Sequence, residues 1–255
     1  MNNEYNEVIN NFETLKLYRM KELLSELLDQ CTIDNVELLK ILKKLTSEEI
    51  RQREHKAKEM NIQLGHFPYR KTINMFDFDF QPGIDKNKIM DLMTLRFIEE
   101  GENIVLVGLP GTGKTMLSCC LGIEAASRRI STYFVSCSTL LSDLKKAKQE
   151  NKLEARLKQY CKYKLLILDE FGFLPLNKDD ANLLFQLISR RYETKSIIIT
   201  TNVPFSKWGE SLNDPVIATA ILDRLLHHSH IIQIEGPSYR TKDILKDVKE
   251  GIPLS

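Results

Sequence analysis

The chain has 255 residues, and its 36 lysines and arginines nearly cancel its 35 aspartates and glutamates. This length permits one large or two small domains, and the near-neutral charge indicates no particular partner, so any nucleic-acid surface must come from local clusters of cations. Five cysteines form no C-x-x-C pair and no apolar run approaches about 18 residues, which argues against a disulfide scaffold, a zinc site and a membrane span and favours a cytoplasmic protein.

The N-terminal region reads as helical. Apolar residues recur at steps of three and four, which predicts amphipathic helices over residues 11–30 and 35–60. A run beginning at Thr46 is either a capping box that opens a separate helix or a mark on a continuous one. Residues 43–59 carry six cations against four acids, so this helix presents a solvated charged face or a surface for DNA or a partner. We expect a small all-helical domain over residues 1–68.

Residues 61–87 change character, because glycines, prolines and aromatic residues interrupt the helical pattern. This composition predicts a linker that docks onto the next domain. Residues 76–80 alternate aromatic and acidic side chains, as a short strand or extended segment does. Their two aspartates are better explained as solvated carboxylates than as a metal pair. A helix is expected over residues 87–100.

The strongest motif follows. Residues 104–107 predict a buried strand, and the glycine-rich turn after it fits G-x-x-x-x-G-K-[ST] before an apolar helix expected over 116–126. Backbone N–H groups of such a loop surround a phosphate where a Cβ would obstruct them, and the helix N-terminus favours the same anion. Lys114 is expected to contact the β- and γ-phosphates, and Thr115 to hold magnesium. The predicted nucleotide-binding residues are Gly108, Pro110, Gly111, Thr112, Gly113, Lys114, Thr115 and Met116.

Beyond the loop, apolar strands alternate with helices, which predicts an α/β fold with a parallel, doubly wound sheet of five strands. The later strands are expected over residues 132–135, 164–170, 196–202 and 231–234. Three helices are expected. The first covers residues 138–160, the second begins after Asn177 as its cap, and the third runs from an Asp214-Pro215 cap to His227. We assign residues 69–255 to this domain.

Two carboxylates end the third strand. Asp169 follows an apolar run that brings it to the carboxyl edge of the sheet, where it suits a magnesium ligand. A carboxylate at Glu170 can polarise an attacking water, which favours a hydrolase over a transferase. Asn202 ends the next strand, where its amide can orient that water, although a Thr-Asn pair at a strand end is also a turn signal.

Arg224 lies on the helix before the last strand. An arginine supplied to a neighbour's γ-phosphate is worth about 10³–10⁵ in rate, whereas a surface salt bridge to Asp223 or Glu210 is worth about 0–1 kcal/mol. The nearby histidines at 227, 228 and 230 do not predict a metal site, because a helix C-terminus favours histidine and a strand turns alternate side chains apart.

Together these residues resemble the IstB/DnaC-like branch of AAA+ P-loop ATPases, and most closely the IstB-like ATP-binding proteins of bacterial insertion sequences. The resemblance extends from about residue 38 to residue 242 and is most specific over 214–240. Besides the phosphate loop, it is carried by residues 76–78, 101–103, 165–176, 184–193, 204–210, 214–215, 221–230 and 238–240.

The resemblance implies an ATP- and Mg²⁺-dependent ATPase that binds double-stranded DNA, assembles into rings or spirals, and works with a transposase of the integrase type. It implies that Asn202 is the sensor and Arg224 the arginine that acts on a neighbouring subunit. The basic helix expected over 138–160 corresponds to the helical insertion of initiator-type AAA+ proteins, although a solvated helix is the alternative. Its candidate DNA contacts are Lys145, Lys146, Lys148 and Arg156.

In one respect the chain departs from AAA+ proteins at large. Their helical lid follows the last strand, but only about twenty residues remain here, so a reduced or absent lid is expected, and Arg240 is a candidate for the lid's sensor arginine. Three other functions stay open: a DnaC-type replicative helicase loader, a DNA scaffold with negligible hydrolysis, and a small-metabolite kinase. Glu170 and Asn202 argue against the kinase.

Overall fold

The computed structural model describes residues 3–34, 38–172 and 176–241. It divides the chain into the units Met1–Met60 and Asn61–Ser255, and the domain boundary expected after residue 68 stays a prediction. Residues 173–175 and 242, which contribute to the family resemblance, lie outside the described ranges. Within those ranges, every helix is too short or too polar to cross a bilayer.

The first unit is built from helices α1 (Asn3–Thr14), α2 (Tyr18–Asp34) and most of α3 (Leu38–Leu64). The single helix expected over 11–30 is wrong, because the chain breaks at Lys16, whose φ of 56° lies in the left-handed region. In contrast, α3 is continuous through Thr46, whose hydroxyl donates to the carbonyl of Leu42 at 2.8 Å instead of capping a new helix. The buried core of this unit comprises Met20, Leu24, Leu27, Ile41 and Leu45.

Glu49 is a buried carboxylate of α3 that caps another helix. It accepts the backbone N–H groups of Arg19 at 3.0 Å and Met20 at 3.4 Å, at the N-terminus of α2, and the Arg53 guanidinium at 2.8 Å. Burial alone raises the pKa of Glu49, but these hydrogen bonds to the charged form outweigh it and leave the pKa lowered.

The segment before the sheet contains a 3-10 helix (Ile73–Met75), α4 (Lys86–Leu92) and α5 (Arg96–Glu99). The strand or extended segment expected over 76–80 is wrong, because residues 78–80 form a turn in which Asp77 Oδ1 accepts the N–H of Phe80 at 3.0 Å. The helix expected over 87–100 is divided, because Leu95 has a left-handed φ of 71°.

The sheet confirms the predicted fold class. Its strands β1 (Asn103–Gly108), β2 (Thr132–Ser136), β3 (Leu165–Asp169), β4 (Ser196–Thr201) and β5 (Ser229–Ile234) are all parallel, in the order β2-β3-β4-β1-β5. Helices cover both faces, so β3 and β4 are buried throughout. The carboxyl ends of β1, β3 and β4 therefore meet at one edge, where α/β proteins bind ligands.

The helices of the sheet domain are α6 (Lys114–Ser127), α7 (Cys137–Gln149), α8 (Leu153–Lys162), α9 (Lys178–Arg191), α10 (Trp208–Ser211) and α11 (Pro215–Leu226). The single helix expected over 138–160 is wrong: α7 ends before Asn151, whose φ is 57°, and α8 begins after it. Both predicted caps form, since Asn177 accepts the N–H of Asp180 at 2.9 Å and Asp214 accepts that of Val216 at 3.0 Å.

After β5, the chain returns to the phosphate loop. The N–H of Tyr239 donates to the carbonyl of Gly111 at 2.8 Å, and a 3-10 helix (Tyr239–Thr241) follows. Up to residue 241, where the description ends, no helical lid follows the sheet.

Candidate functional site

The loop between β1 and α6 forms a cradle that only glycines permit. Gly111 and Gly113 have φ values of 81° and 100°, in the left-handed region. A Cβ on Gly108 would lie 2.4 Å from the carbonyl oxygen of Ile234, and one on Gly113 would lie 2.7 Å from the ring of Phe76. Side chains at these positions would therefore displace the loop from β5 and from the Phe76 ring, against which it packs.

Lys114 is buried within this cradle at the start of α6. Its ammonium group donates to the carbonyl oxygens of Gly108 and Leu109, both at 2.7 Å. Burial lowers the pKa of Lys114, against the opposing effect of the Asp169 carboxylate, and the Arg240 guanidinium lowers it further. Among the described residues Lys114 has no ion-pair partner, so its charge is available to an anion.

Thr115 and Asp169, the predicted magnesium ligands, are in contact. The Thr115 hydroxyl lies 3.0 Å and 3.2 Å from the two carboxylate oxygens of Asp169. One residue comes from the first turn of α6 and the other from the end of β3. Two hard oxygen ligands beside a phosphate cradle suit Mg²⁺, which usually takes one or two protein oxygens together with phosphate oxygens and water. These residues therefore fit the ion.

Glu170 and Asn202 follow neighbouring strands and line the same cavity as the phosphate loop. Glu170 is exposed and has a left-handed φ of 58°. Its backbone N–H donates to the hydroxyl of Thr200 at 3.0 Å. The structure thus brings both residues predicted to act on a water molecule to the cavity that contains Lys114.

The cavity has a volume of about 550 Å³, within the usual range for small-ligand sites. It is lined by the phosphate loop, by the ends of β3 and β4, and by two segments that were not expected here. Arg240 lies in the second of them, so the residue suggested as a sensor arginine does reach the site. The unexpected lining residues are Tyr69, Lys71, Met75, Phe76, Asp77, Gln81 and Tyr239.

These two segments are joined to each other across the loop. Gln81 donates from Nε2 to the carbonyl of Pro237 at 2.7 Å, and the rings of Phe80 and Tyr239 meet edge-on with centroids 5.3 Å apart. The aromatic composition of residues 67–80 signals a docking segment, but composition alone does not identify the surface on which it docks.

Arg224 does not line this cavity. Its guanidinium lies over the ring of Phe185, 4.8 Å from the centroid, and donates to the carbonyl of Ala220 at 3.0 Å. Neither Asp223 nor Glu210 forms an ion pair with it in the described part of the chain, so the salt-bridge alternative is not found there.

The candidate DNA contacts on α7 and α8 already take part in ion pairs within the domain. Lys146 is the exception, with no ion pair among the described residues. The Lys148–Asp179 pair is exposed on both sides, and such pairs are weak and do not prevent contacts with phosphates, whereas the Asp180 carboxylate that pairs with Lys145 is buried. The pairs join Lys145 to Asp180 at 2.8 Å, Lys148 to Asp179 at 3.5 Å and Arg156 to Asp143 at 3.3 Å.

The three histidines near α11 do not form one cluster, because His230 lies apart from the other two. His230 Nε2 lies 2.8 Å from a carboxylate oxygen of Glu102. His227 and His228 lie beside Glu193, with potential metal-ligand atoms within 4.8 Å of one another. Glu193, His227 and His228 are all exposed, and the Tyr192 hydroxyl is hydrogen-bonded to Nδ1 of His227 at 2.8 Å. This cluster therefore does not by itself indicate a bound metal.

Known structures share this fold. The crystal structure of DnaI is 23% identical with a TM-score of 0.56, and the match covers 65% of this chain and 92% of that one. AMPPCP-bound DnaA from Aquifex aeolicus is 22% identical with a TM-score of 0.54, over 74% of this chain and 58% of that one. Identities this low establish the fold alone, which is that of AAA+ P-loop ATPases.

Sequence relatives are much closer. A protein of Bacillus thuringiensis subsp. berliner, whose name refers to insertion sequence IS232 and ATP binding, is 49% identical over 95% of this chain and 97% of its own length. A Geobacillus stearothermophilus protein, named similarly for IS5376, is 43% identical over 90% and 91%. Residues 10–247 match the family described as IstB-like ATP binding protein. The phosphate cradle, the parallel sheet and this match confirm the resemblance: the chain belongs to the IstB-like ATP-binding proteins.

Proposed function

We propose that this chain hydrolyses ATP and uses that cycle to assist a transposase in DNA transposition. The observation that carries the proposal is the single cavity lined by Lys114, Thr115 and Glu170, with the Asp169 carboxylate 3.0 Å behind the Thr115 hydroxyl. A nucleotide-binding scaffold has no need of a carboxylate directly after the magnesium ligand. The link to transposition is supported by relatives whose names refer to insertion sequences.

In the proposed reaction, the loop N–H groups and Lys114 hold the β- and γ-phosphates. Mg²⁺, held by Thr115 and Asp169, supplies positive charge to the phosphate oxygens when it is bound. Glu170 accepts a proton from a water molecule as the water oxygen bonds to the γ-phosphorus. The bond from that phosphorus to the bridging oxygen breaks, which releases ADP and inorganic phosphate. Asn202 orients the attacking water.

The decisive variant is Glu170→Gln, which keeps the shape of the side chain but removes its basicity. We expect normal ATP affinity with turnover reduced by about 10²–10⁴, the usual contribution of a general base. Phosphate release and calorimetric binding measure the two quantities, and Glu100→Gln, an exposed acid outside the cavity, is the control. Wild-type turnover in Glu170→Gln would remove Glu170 from this role, and an inactive wild type would leave only a nucleotide-dependent scaffold.

The proposal includes self-association into a ring or spiral. Arg224 does not line its own subunit's cavity, so its proposed role at a γ-phosphate requires a second subunit. Up to residue 241, no lid helix accompanies the sheet. A neighbouring subunit would provide both a cover and its own Arg224, in addition to the Lys71 and Arg240 side chains that already line the cavity.

We further propose that α7 and α8 contact the phosphates of double-stranded DNA and that the protein partner is a transposase of the integrase type. Lys145, Lys146, Lys148 and Arg156 are the proposed contacts. Pull-down with purified transposase and, in parallel, with a replicative helicase tests the partner. Selective retention of the helicase would instead support a helicase loader of the DnaC type.

A further inference from the structure

Thr200 is a buried residue near the end of β4, and its hydroxyl contacts two groups of the proposed site. The hydroxyl donates to Asp169 Oδ1 at 2.5 Å and accepts the backbone N–H of Glu170 at 3.0 Å. Only 1% of Thr200 is exposed, although it lines the cavity. A hydroxyl has one proton, and this one is given to the magnesium ligand.

The first contact fixes the Asp169 carboxylate. Oδ1 receives hydroxyl protons from Thr115 of α6 and Thr200 of β4, and Asp169 is itself buried. A buried carboxylate keeps its orientation only if such donors hold it, and partners of metal ligands are typically worth about 10–100-fold in metal affinity or activity. Because Thr200 comes from the adjacent strand, the sheet itself sets the angle of the magnesium ligand.

The second contact fixes the turn that carries Glu170. The left-handed backbone of Glu170 is unfavourable for a residue with a Cβ. Thr200 holds two successive N–H groups of this turn, that of Glu170 with its hydroxyl and that of Phe171 with its carbonyl at 2.8 Å. The position from which the Glu170 side chain extends therefore depends on one threonine.

We propose that Thr200 is the positioning residue that couples the magnesium ligand Asp169 to the general base Glu170. Its effect on turnover rests on the proposed ATP hydrolysis, whereas its effect on metal binding does not. Removal of the hydroxyl leaves the Asp169 carboxylate with one donor fewer and the Glu170 N–H without its acceptor, while the phosphate loop is unchanged.

The test compares Thr200→Val with Thr200→Ser. Thr200→Val keeps the branched shape without the hydroxyl, and Thr200→Ser keeps the hydroxyl. For Thr200→Val we expect the Mg²⁺ concentration giving half-maximal ATPase activity to rise about 10-fold or more, with lower kcat at saturating Mg²⁺. Thr200→Ser should stay near wild type on both measures. In a Glu170→Gln background, Thr200→Val should lower kcat far less than it does alone.

Calorimetry with AMPPCP over a series of Mg²⁺ concentrations gives a readout that needs no hydrolysis. Binding of AMPPCP to Thr200→Val should require more Mg²⁺ even if wild-type protein proves unable to hydrolyse ATP, so failure of the proposed hydrolysis is separate from failure of this inference. If Thr200→Val does not fold, Thr200→Ala against Thr200→Ser makes the same comparison.

The matched control is Ser196→Ala. Ser196 is a fully buried hydroxyl at the other end of β4, bonded to the carbonyl of Phe97 at 3.1 Å. Its loss should reduce thermal stability without a change in Mg²⁺ dependence. The inference is overturned if Thr200→Val leaves Mg²⁺ dependence unchanged, if Thr200→Ser is equally impaired, or if Ser196→Ala shifts Mg²⁺ dependence as much.

Discussion

Lys145 of α7 lies 2.8 Å from Asp180 in the first turn of α9, and the Asp180 side chain is 7% exposed whereas that of Lys145 is 46% exposed. A buried acid thus balances part of the positive charge of α7 within the fold. Lys148 lies 3.5 Å from Asp179, an exposed acid of the same turn, whereas Lys146 has no ion pair among the described residues. The positive charge that α7 presents to solvent is therefore smaller than its sequence suggests, and changes to the acids of α9 would alter it.

Neutralising an acid on α9 should strengthen DNA binding. Asp179→Asn removes an exposed partner of Lys148, so the affinity for duplex DNA should rise modestly if α7 contacts phosphates.

Replacing Lys145, Lys146 and Lys148 together should lower the log–log salt slope by up to about 3, near 0.9 per lost contact. Fluorescence anisotropy across a KCl series measures both, with Lys207→Ala as the control. An unchanged slope would move the DNA surface to residues 43–58 or to Arg190.

Lys114→Ala should abolish nucleotide binding. The substitution removes the ammonium group and with it charge-assisted bonds to two phosphates, each worth about 1.5–3 kcal/mol. The affinity for the nucleotide should therefore fall by at least about 100-fold. Calorimetry with AMPPCP provides the measurement, and Lys88→Ala, a lysine that does not line the cavity, provides the control. Retained affinity in Lys114→Ala would show that the loop is not the phosphate site.

Arg224→Ala should bind ATP normally but hydrolyse it at least about 10³-fold more slowly. ATPase activity per subunit should rise with protein concentration and with DNA that gathers subunits. Mixing Arg224→Ala with Lys114→Ala should restore some activity, because a Lys114→Ala subunit supplies Arg224 to the intact cavity of a neighbouring Arg224→Ala subunit. Dilute monomers that turn over at the full rate, or co-assembled mixtures without rescue, would contradict this role.

The Met1–Met60 unit should lose stability in acid through Glu49. The folded-state pKa of Glu49 lies below its ordinary value of 4.5, so its contribution is present above that value and is lost as the pH falls through the folded pKa. Glu49→Gln should cost about 1–3 kcal/mol at neutral pH and should weaken the acid dependence. Hydrogen exchange of α2 peptides between about pH 7 and pH 3 measures this, with exposed Glu54→Gln as the control. An equal loss in both variants would contradict it.

The sheet and the phosphate loop could be predicted because their signals are local. A buried strand such as β3 is a continuous apolar run, and the loop motif places Lys114 and Thr115 at fixed positions after it. Asp169, Glu170 and Asn202 followed from the rule that parallel strands end at one edge.

Helix breaks and distant contacts could not be predicted in this way. Lys16 adopts a left-handed φ without being glycine, so nothing in its local sequence marks the end of a helix. Asn151 does carry such a signal, because asparagine tolerates this conformation and commonly follows a helix end, but the continuous charged pattern over 138–160 obscured it. Arg191 is a cation in the last turn of α9, a position typical of surface arginines, yet it is fully buried and donates to the carbonyl of Ser196 at 2.7 Å. Phe76 and Tyr239 reach the phosphate loop only through tertiary packing.

The return of the chain from β5 to the phosphate loop has a practical consequence for handling the protein. The Tyr239 N–H holds the Gly111 carbonyl, and a Cβ on Gly111 would lie 2.0 Å from the hydroxyl oxygen of Ser238. Any truncation after Ile234, or any fusion close to Thr241, therefore alters the nucleotide cavity itself. Affinity tags and fluorophores belong at the other terminus, because a label close to residue 241 would lie beside the cavity that Tyr239 and Arg240 line.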